Sequence, residues 1–322
     1  MGRPGSEESD VTDYHVPVMA AEVVDIFRSL ERGLIVDATF GGGGHSYALL
    51  SALDGIEILG IDRDPDAADL VRTNRRLRFA KGRFSELEQL LLSGTVAAGD
   101  PSADAQGPAG VLFDLGVSSH QLDTASRGFS YRRAGPLDMR MNPDAHLSAG
   151  AVVNEWTEAR IAGVIRRYGD ERFARRIAAA IVANRPVDDT ASLAKIIAES
   201  VPAAVRRKRH PARRTFQAIR IAVNDELGEL ESGLNAAMRA VGTGGRVVVI
   251  TYHSLEDRIV AHRFAEGTTG CVCPPDLPVC VCERSPELRS LTGRGLTPSV
   301  EELDRNPRAR SARLRAVEKL AA

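Results

Sequence analysis

The sequence lacks any long apolar segment, which argues against a membrane protein. No stretch approaches the roughly eighteen consecutive apolar residues that a transmembrane helix needs. Residues 1–13 are polar and acidic, without the apolar core of a signal peptide. Of the 322 residues, 43% are hydrophobic and 26% are charged, as is typical of a soluble globular protein. We therefore expect a cytoplasmic protein without a membrane partner, large enough for two domains.

The chain also lacks an excess of charge of either sign. It has 42 Lys and Arg residues against 43 Asp and Glu residues, a formal net charge of −1. Such a balance favours a nucleic-acid partner only if the basic residues are clustered. Residues 206–214 read RRKRHPARR, with six positive charges and no acid. The sequence therefore contains one candidate site for a polyanion.

Cysteine is absent outside one short segment. Cys271, Cys273, Cys280 and Cys282 all fall within twelve residues. Two C-x-C pairs could bind zinc through four thiolates, but neighbouring zinc ligands are usually separated by two to four residues. Cytosolic thiols are normally reduced. We expect a reduced structural loop without a required metal, and a zinc site and disulfides are the alternatives.

The glycine-rich segment lacks one glycine of the dinucleotide-binding pattern. The apolar residues 34–36 predict a buried strand, and four glycines follow at 41–44, before a helix-like segment. In the G-x-G-x-x-G pattern the sixth position would be Ser46 or Tyr47. A glycine turn at a helix N-terminus still brings the backbone close to a ligand. This favours S-adenosylmethionine, which has no pyrophosphate, over a nicotinamide cofactor, and a surface loop is the structural alternative.

Two acidic residues stand at the ends of predicted strands. Asp62 follows the apolar run 56–61, and Asp114 follows the run 110–113. Ligands of open α/β sheets lie outside the carboxyl ends of the strands, so both acids should face one crevice. Asp62 suits a ribose diol there. For Asp114 the alternative is a turn cap.

Phe84 precedes a predicted helix start. Ser85 and Glu88 have the spacing of a capping box. The fourth helical residue would be Gln89, which is a poor partner for a hydrophobic staple. We therefore expect the Phe84 ring to lie against an adenine.

A long insertion separates the fourth strand from the next strand-like run, residues 246–251. The gap is some 130 residues, whereas a parallel crossover needs about a dozen. Apolar residues at helical spacing predict a helical domain at 125–215. A 3-4 spacing from Phe216 to Leu234 predicts one long helix that leads back to the sheet.

Aromatic and basic residues in this insertion predict an RNA surface. Unstacked bases lie on aromatic and arginine side chains, while clustered charge holds the backbone. The alternative for these residues is a solvated charged face. His253, after the fifth strand, could line the substrate pocket or form a hydrogen bond within a turn. The predicted RNA-binding residues are Phe129, Tyr131, Arg132, Arg133, Arg206, Arg207, Lys208, Arg209, Arg213 and Arg214.

Nine stretches give the chain a close resemblance to the bacterial 16S ribosomal RNA (cytosine-N4)-methyltransferase family. They follow one another along nearly the whole chain, and several are more specific than a glycine loop. They are residues 15–19 (HVPVM), 37–46 (DATFGGGGHS), 60–65 (GIDRDP), 113–119 (FDLGVSS), 127–130 (RGFS), 135–141 (GPLDMRM), 214–221 (RTFQAIRI), 253–257 (HSLED) and 306–311 (NPRARS).

The resemblance implies a fold and a reaction. The fold would be an α/β class I (Rossmann-like) S-adenosylmethionine-dependent methyltransferase sheet with an inserted, mostly helical domain. Methyltransferase parts at 1–124 and 216–322 would flank the RNA-recognition domain at 125–215. The substrate would be a cytidine in the decoding centre of 16S ribosomal RNA. The implied cofactor contacts are Gly43, Gly44, His45, Asp62, Phe84, Asp114 and Gln121.

The chemistry of cytosine makes Asp114 the catalytic candidate. The exocyclic amine is a poor nucleophile, so it needs alignment with the methyl donor and an acceptor for its hydrogens. The alternatives are a non-catalytic ribosome assembly factor that binds an adenosine ligand, and a nucleotide-dependent oxidoreductase. The small ribosomal subunit is the expected partner; no obligate protein partner is evident, and a homodimer is compatible with the sequence.

Overall fold

The parallel strands predicted from the apolar runs form the centre of the fold. The computed structural model describes residues 17–93, 107–207, 210–271, 273, 282 and 284–321. Within these residues seven strands form one sheet, in the order β3-β2-β1-β4-β5-β7-β6. The strands are β1 (Gly33–Asp37), β2 (Ile56–Asp62), β3 (Leu77–Lys81), β4 (Gly110–Asp114), β5 (Arg246–Thr251), β6 (Leu288–Ser290) and β7 (Arg313–Lys319).

Strands β1 to β5 are parallel, and β7 and β6 add an antiparallel edge. The chain order reverses between β1 and β4, where open α/β sheets bind their ligands. The predicted α/β class is confirmed.

Helices cover both faces of the sheet and fill the insertion. They are α1 (Ala20–Phe27), α2 (Gly44–Ala52), α3 (Asp66–Asp69), α4 (Leu87–Leu92), α5 (Ser119–Asp123), α6 (Ala149–Glu155), α7 (Glu158–Gly169), α8 (Ala174–Ala183), α9 (Thr190–Ser200), α10 (Ala203–Arg206), α11 (Ala212–Asn224), α12 (Glu226–Ala240), α13 (Ser254–Thr268) and α14 (Val300–Arg305). In the described part of the chain none of them is both long and apolar enough to cross a membrane.

The sheet is buried on both faces, which explains its continuous apolar strands. In β4, Val111 and Phe113 pack toward α12 and α13, and Leu112 packs toward α1 and α2. Successive side chains of a strand point to opposite faces, so both helix layers need apolar residues.

A second hydrophobic cluster lies in the insertion, in helices α6 to α9 and α11. It runs from Phe129 to Val223 and includes Ile165, Ile177 and Leu193. We call residues 125–224 the helical region and the rest of the chain the sheet region. The domain limits at 125 and 215 stay a prediction.

The predicted long helix from Phe216 to Leu234 is wrong. Helix α11 ends at Asn224, and α12 begins at Glu226 after Asp225, which has a left-handed φ of 48°. The Asn224 side chain donates to the Met139 carbonyl at 2.7 Å and accepts from the Met141 amide at 2.8 Å. Each of the two helices has its own apolar face: α11 packs in the cluster of the helical region, and α12 packs on the sheet. The apolar spacing therefore continues across the break although the helix does not.

Candidate cofactor and substrate site

A cavity of about 770 Å³ lies at the carboxyl ends of β1, β2, β4 and β5. Gly41, Asp62 and Asp114 line its sheet side, and Phe216 and Arg220 of the helical region line another wall. The cavity therefore lies between the two regions, where a cofactor on the sheet could meet a substrate held by the helices.

The turn after β1 has a backbone conformation that favours glycine. Gly41 and Gly43 have left-handed φ values of 52° and 73°. A Cβ at Gly43 would lie 2.5 Å from the Tyr47 ring and 2.6 Å from the Phe40 ring, so only glycine fits there. Gly41, Gly42 and Gly44 line the cavity and Gly43 does not. Gly43 thus forms the turn without itself facing the cavity.

Asp62 is held by two backbone amides at the end of β2. The amide of Gly41 donates to Oδ2, and the amide of Asp64 donates to Oδ1, both at 2.8 Å. Burial raises the pKa of Asp62 to about 6. The carboxylate is therefore ionised at neutral pH and can accept hydrogen bonds from a ribose diol in the cavity.

Asp114 receives support from two aromatic side chains. The Tyr252 hydroxyl donates to Oδ1 at 2.7 Å, and Nδ1 of His45 lies 3.5 Å from Oδ2. Burial raises the pKa of Asp114 above its ordinary value, although the charge of His45 opposes this effect. Burial also raises the pKa of Tyr252, so its hydroxyl stays a neutral donor.

The second nitrogen of His45 shows where a proton lies. Nε2 is 2.9 Å from the carbonyl oxygen of Val18, which can only accept, so Nε2 carries a hydrogen. His45 thus lies between the Val18 carbonyl and Asp114 and also lines the cavity, and its contact with the cofactor stays a prediction.

The predicted capping box of Ser85 and Glu88 is wrong. The Ser85 hydroxyl donates to Oε2 of Glu229 at 2.7 Å, and Arg83 donates to Oε1 at 3.0 Å. Glu88 instead pairs with Arg239 on α12. Phe84, between the two bonded residues, lines the cavity and packs edge-on against Phe113 at 5.5 Å between ring centroids.

Gln121 also lines the cavity, but its amide already has partners. Nε2 donates to Oδ2 of Asp64 at 2.6 Å, and Oε1 accepts from the Ser118 amide at 3.1 Å. Arg127 donates to the same Asp64 oxygen at 2.8 Å and also pairs with Asp66. This buried network connects the end of β2 to the start of the helical region. The sequence motifs contain Asp64, Ser118 and Arg127, but Asp66 and Gln121 lie just outside them, and the motifs do not predict the pairing.

A second polar cluster lines the cavity, and sequence analysis identified only His253 in it. Arg220 forms two hydrogen bonds with Glu226, at 2.8 and 2.7 Å. His253 both lines the cavity and caps α13, since its Nδ1 accepts from the Glu256 amide at 3.3 Å. Burial tends to raise the pKa of Glu256, but His253 and Arg220 outweigh this effect and lower it. The sequence motifs at 214–221 and 253–257 contain Arg220, His253 and Glu256, and so could have indicated this cluster.

Comparison with known proteins decides the family. A model of the MraW methylase family matches residues 12–320. The chain belongs to this family.

Relatives in the MraW methylase family span nearly the whole chain. "Ribosomal RNA small subunit methyltransferase H" of Heliobacterium modesticaldum is 47% identical over 95% of this chain and 99% of its own length. The protein of the same name from Trichlorobacter lovleyi is 46% identical over 95% of this chain and 98% of its own length. Among solved structures, an rRNA methylase from Streptococcus thermophilus is 7% identical with a TM-score of 0.37, covering 94% of both chains.

As a MraW family methylase, the protein uses S-adenosylmethionine as cofactor. The cavity fits that group, because Asp62 offers acceptors for a ribose and the glycine turn brings backbone to the cavity wall without side chains. Phe84 adds an apolar aromatic ring to the same cavity wall.

The aromatic residues predicted for RNA binding differ in exposure. Phe129 is only 6% exposed and packs in the hydrophobic cluster of the helical region. Tyr131 is half-buried and stacks on His210 with ring centroids 4.5 Å apart. Both residues line the cavity. Of the two, Tyr131 has the more accessible ring for a base.

Most of the basic residues predicted for RNA binding are at the surface. Arg132, Arg133, Arg206, Arg207 and Arg213 are exposed, and Arg213 also lines the cavity. Arg214 is half-buried and donates to the Asp170 carbonyl at 2.8 Å, so it supports the end of α7. Lys208 and Arg209 lie outside the described residues.

Proposed function

We propose that this protein transfers a methyl group from S-adenosylmethionine to N4 of a cytidine in the decoding centre (P-site region) of 16S ribosomal RNA. Relatives 46–47% identical carry the name ribosomal RNA small subunit methyltransferase H, which supports a ribosomal RNA substrate. The observation that carries the proposal is the position of Asp114. Its carboxylate lines the cavity between the cofactor-binding end of the sheet and the helical region.

The reaction requires positioning and an acceptor for hydrogen bonds. Bound S-adenosylmethionine supplies an electrophilic methyl group on a sulfonium. As the bond from N4 to carbon forms and the bond from sulfur to carbon breaks, positive charge develops on N4, and one N4 proton must then leave. An oxygen of Asp114 would accept an N4–H hydrogen bond and stabilise that charge. Its raised pKa suits it to receive the proton.

Tyr252 and His45 would position Asp114. The hydroxyl of Tyr252 fixes one carboxylate oxygen, and Nδ1 of His45 lies near the other. Neither contact uses all the lone pairs of its oxygen, so an acceptor site remains for the substrate. A carboxylate fixed before the substrate arrives needs little reorganisation in the transition state.

The distribution of charge supports an RNA substrate. Residues 125–224 contain 19 Lys and Arg against 9 Asp and Glu, a net charge of +10, while the rest of the chain carries −11. Phosphate backbones bind clustered Lys and Arg. The helical region would thus hold the RNA while the sheet region holds the cofactor.

The decisive experiment combines the purified protein, labelled S-adenosylmethionine and small ribosomal subunits from a strain that lacks this enzyme. Nucleoside mass spectrometry should detect N4-methylcytidine at one decoding-centre position, and subunits with uridine at that position should stay unlabelled. Binding of subunits without methyl transfer would instead favour the assembly-factor alternative. Label on another base would refute the N4 assignment. The family membership already decides against an oxidoreductase.

A further inference from the structure

Three cysteine thiols converge outside the cavity. Cys271, Cys273 and Cys282 follow α13, in the segment between α13 and β6. Their sulfur atoms all lie within 4.8 Å of one another. None of the three residues lines the cavity. The cluster is therefore separate from the proposed methyl-transfer site.

The spacing of the sulfurs fits a shared metal ion. Sγ of Cys271 and Sγ of Cys282 lie 3.7 Å apart, whereas a disulfide bond is about 2.05 Å long. Zinc binds thiolates at about 2.3 Å in tetrahedral geometry, which places neighbouring sulfurs about 3.8 Å apart. With one edge of 3.7 Å and the other sulfur separations within 4.8 Å, the cluster can accept zinc with little rearrangement.

Packing does not explain the convergence. Structural cysteines are normally buried as small apolar side chains, but Cys271 is exposed and Cys273 and Cys282 are only half-buried. The sequence argument against zinc was the single residue between paired cysteines. Despite that spacing, the sulfurs of Cys271 and Cys273 lie within 4.8 Å of each other and of the Cys282 sulfur, close enough to share one ion.

A second group of potential metal ligands is a weaker candidate for zinc than the cysteine cluster. Donor atoms of Glu226, His253 and Glu256 also lie within 4.8 Å of one another. There, however, Arg220 already binds Glu226 through two hydrogen bonds and supplies positive charge. The cysteine cluster offers softer ligands, because thiolates prefer zinc over the lighter divalent cations.

We propose that Cys271, Cys273 and Cys282 bind one zinc ion as thiolates. The ion would connect Cys271 and Cys273, which follow α13, to Cys282, which precedes β6, with a fourth position left for another ligand. Near this segment the main chain is anchored by the bond from the Glu287 amide to the Gly267 carbonyl at 2.9 Å. Metal binding by three thiolates would stabilise the fold of the chain around them.

The test is elemental analysis of the full-length, tag-free protein purified without added metal. We expect about one zinc per chain, and a loss of zinc in the triple variant C271S/C273S/C282S. The matched control is H262A/E266A, which removes an exposed His–Glu pair on α13 and should keep the zinc. Little zinc in wild-type protein, or equal zinc in the triple variant, would overturn the proposal.

A second measurement avoids dependence on the folding of the triple variant. In wild-type protein, the cysteines should resist alkylation until a chelator removes the zinc. Cobalt substitution should give the thiolate-to-metal charge-transfer band and the intense visible bands of a tetrahedral site. Equal alkylation before and after chelation, or thiols found oxidised to disulfides, would contradict a zinc site.

Discussion

The helical region and the sheet region of this molecule carry opposite charge. Residues 125–224 have a net charge of +10 and the rest of the chain has −11, although the whole chain sums to only −1. The sheet region presents the acids Asp62 and Asp114 to the cavity, and the helical region presents arginines. The net charge of a two-region protein therefore says little about its ligands, whereas the charge of each region predicts them separately.

The charges of the two regions also differ in how much water surrounds them. Burial raises the pKa values of Asp62 and Asp114 in the sheet region. Arg206 and Arg207 in the helical region are exposed, so salt screens them. We expect substitutions of the buried acids to change chemistry and cofactor affinity, and substitutions of the exposed arginines to change the salt dependence of RNA binding.

The largest effect should come from Asp114→Asn. The amide keeps the size and one acceptor oxygen but loses the charge that would stabilise a cationic N4. The single-turnover rate at saturating cofactor should fall by about a hundredfold or more, about 2.7 kcal/mol in the barrier. RNA affinity, measured in parallel, should be nearly unchanged.

A different pattern of results for Asp114→Asn would change the comparison. Weaker cofactor binding with a nearly normal single-turnover rate would mean that Asp114 contacts mainly the cofactor. Normal values for both in a folded variant would reduce Asp114 to a turn cap. Asp69→Asn, at an exposed acid on α3, is the control for a loss of negative charge in the sheet region.

The next effect concerns the pH dependence of cofactor binding through Asp62. Its pKa of about 6 means that the carboxylate is ionised above pH 6 and protonated below it. Since the ionised form is the better acceptor for a ribose, affinity should fall as pH falls through 6, by at most about tenfold per pH unit. Calorimetric titration with S-adenosylmethionine from about pH 5 to about pH 7 measures how the affinity changes with pH.

The control for that slope is Asp62→Asn. It should bind S-adenosylmethionine about 10- to 100-fold more weakly at neutral pH and show a flat profile over the same range. The raised pKa also predicts that unfolding stability declines as pH rises from about 4 through 6, because the folded state binds more protons there. An unchanged affinity in the folded variant would remove the ribose assignment.

Local signals in the sequence predicted the sheet and the crevice. Apolar runs gave the strands, and an acid at the end of a parallel strand must lie at the ligand edge, so the strand ends alone identified Asp62 and Asp114. Pairings between distant residues could not be predicted. Ser85 bonds Glu229, 144 positions away, and so cannot form the capping box that its neighbours indicated.

Periodicity failed at Asp225 for a related reason. Spacing records that a face is apolar, but it does not record which core that face meets. Helices α11 and α12 keep one spacing while they pack in two clusters. The predicted RNA-binding residues depend on a ligand outside the chain, so they stay predictions.

The smallest effect should come from Arg206→Ala/Arg207→Ala, and it tests the comparison directly. Both side chains are exposed in the helical region. Removing one arginine that binds a phosphate should lower the log-log slope of RNA affinity against salt by about 0.7, so the slope of the double variant should fall by up to about 1.4. Cofactor affinity should not change, because neither residue lines the cavity.

The control is Arg75→Ala/Arg258→Ala, two exposed arginines of the sheet region, which should keep the slope. Equal decreases in both variants would mean that RNA also binds the sheet region, and the division of ligands between the regions would be wrong. An unchanged slope in both would make residues 206–207 a solvated face, and RNA affinity would then have to come from the other arginines of the helical region.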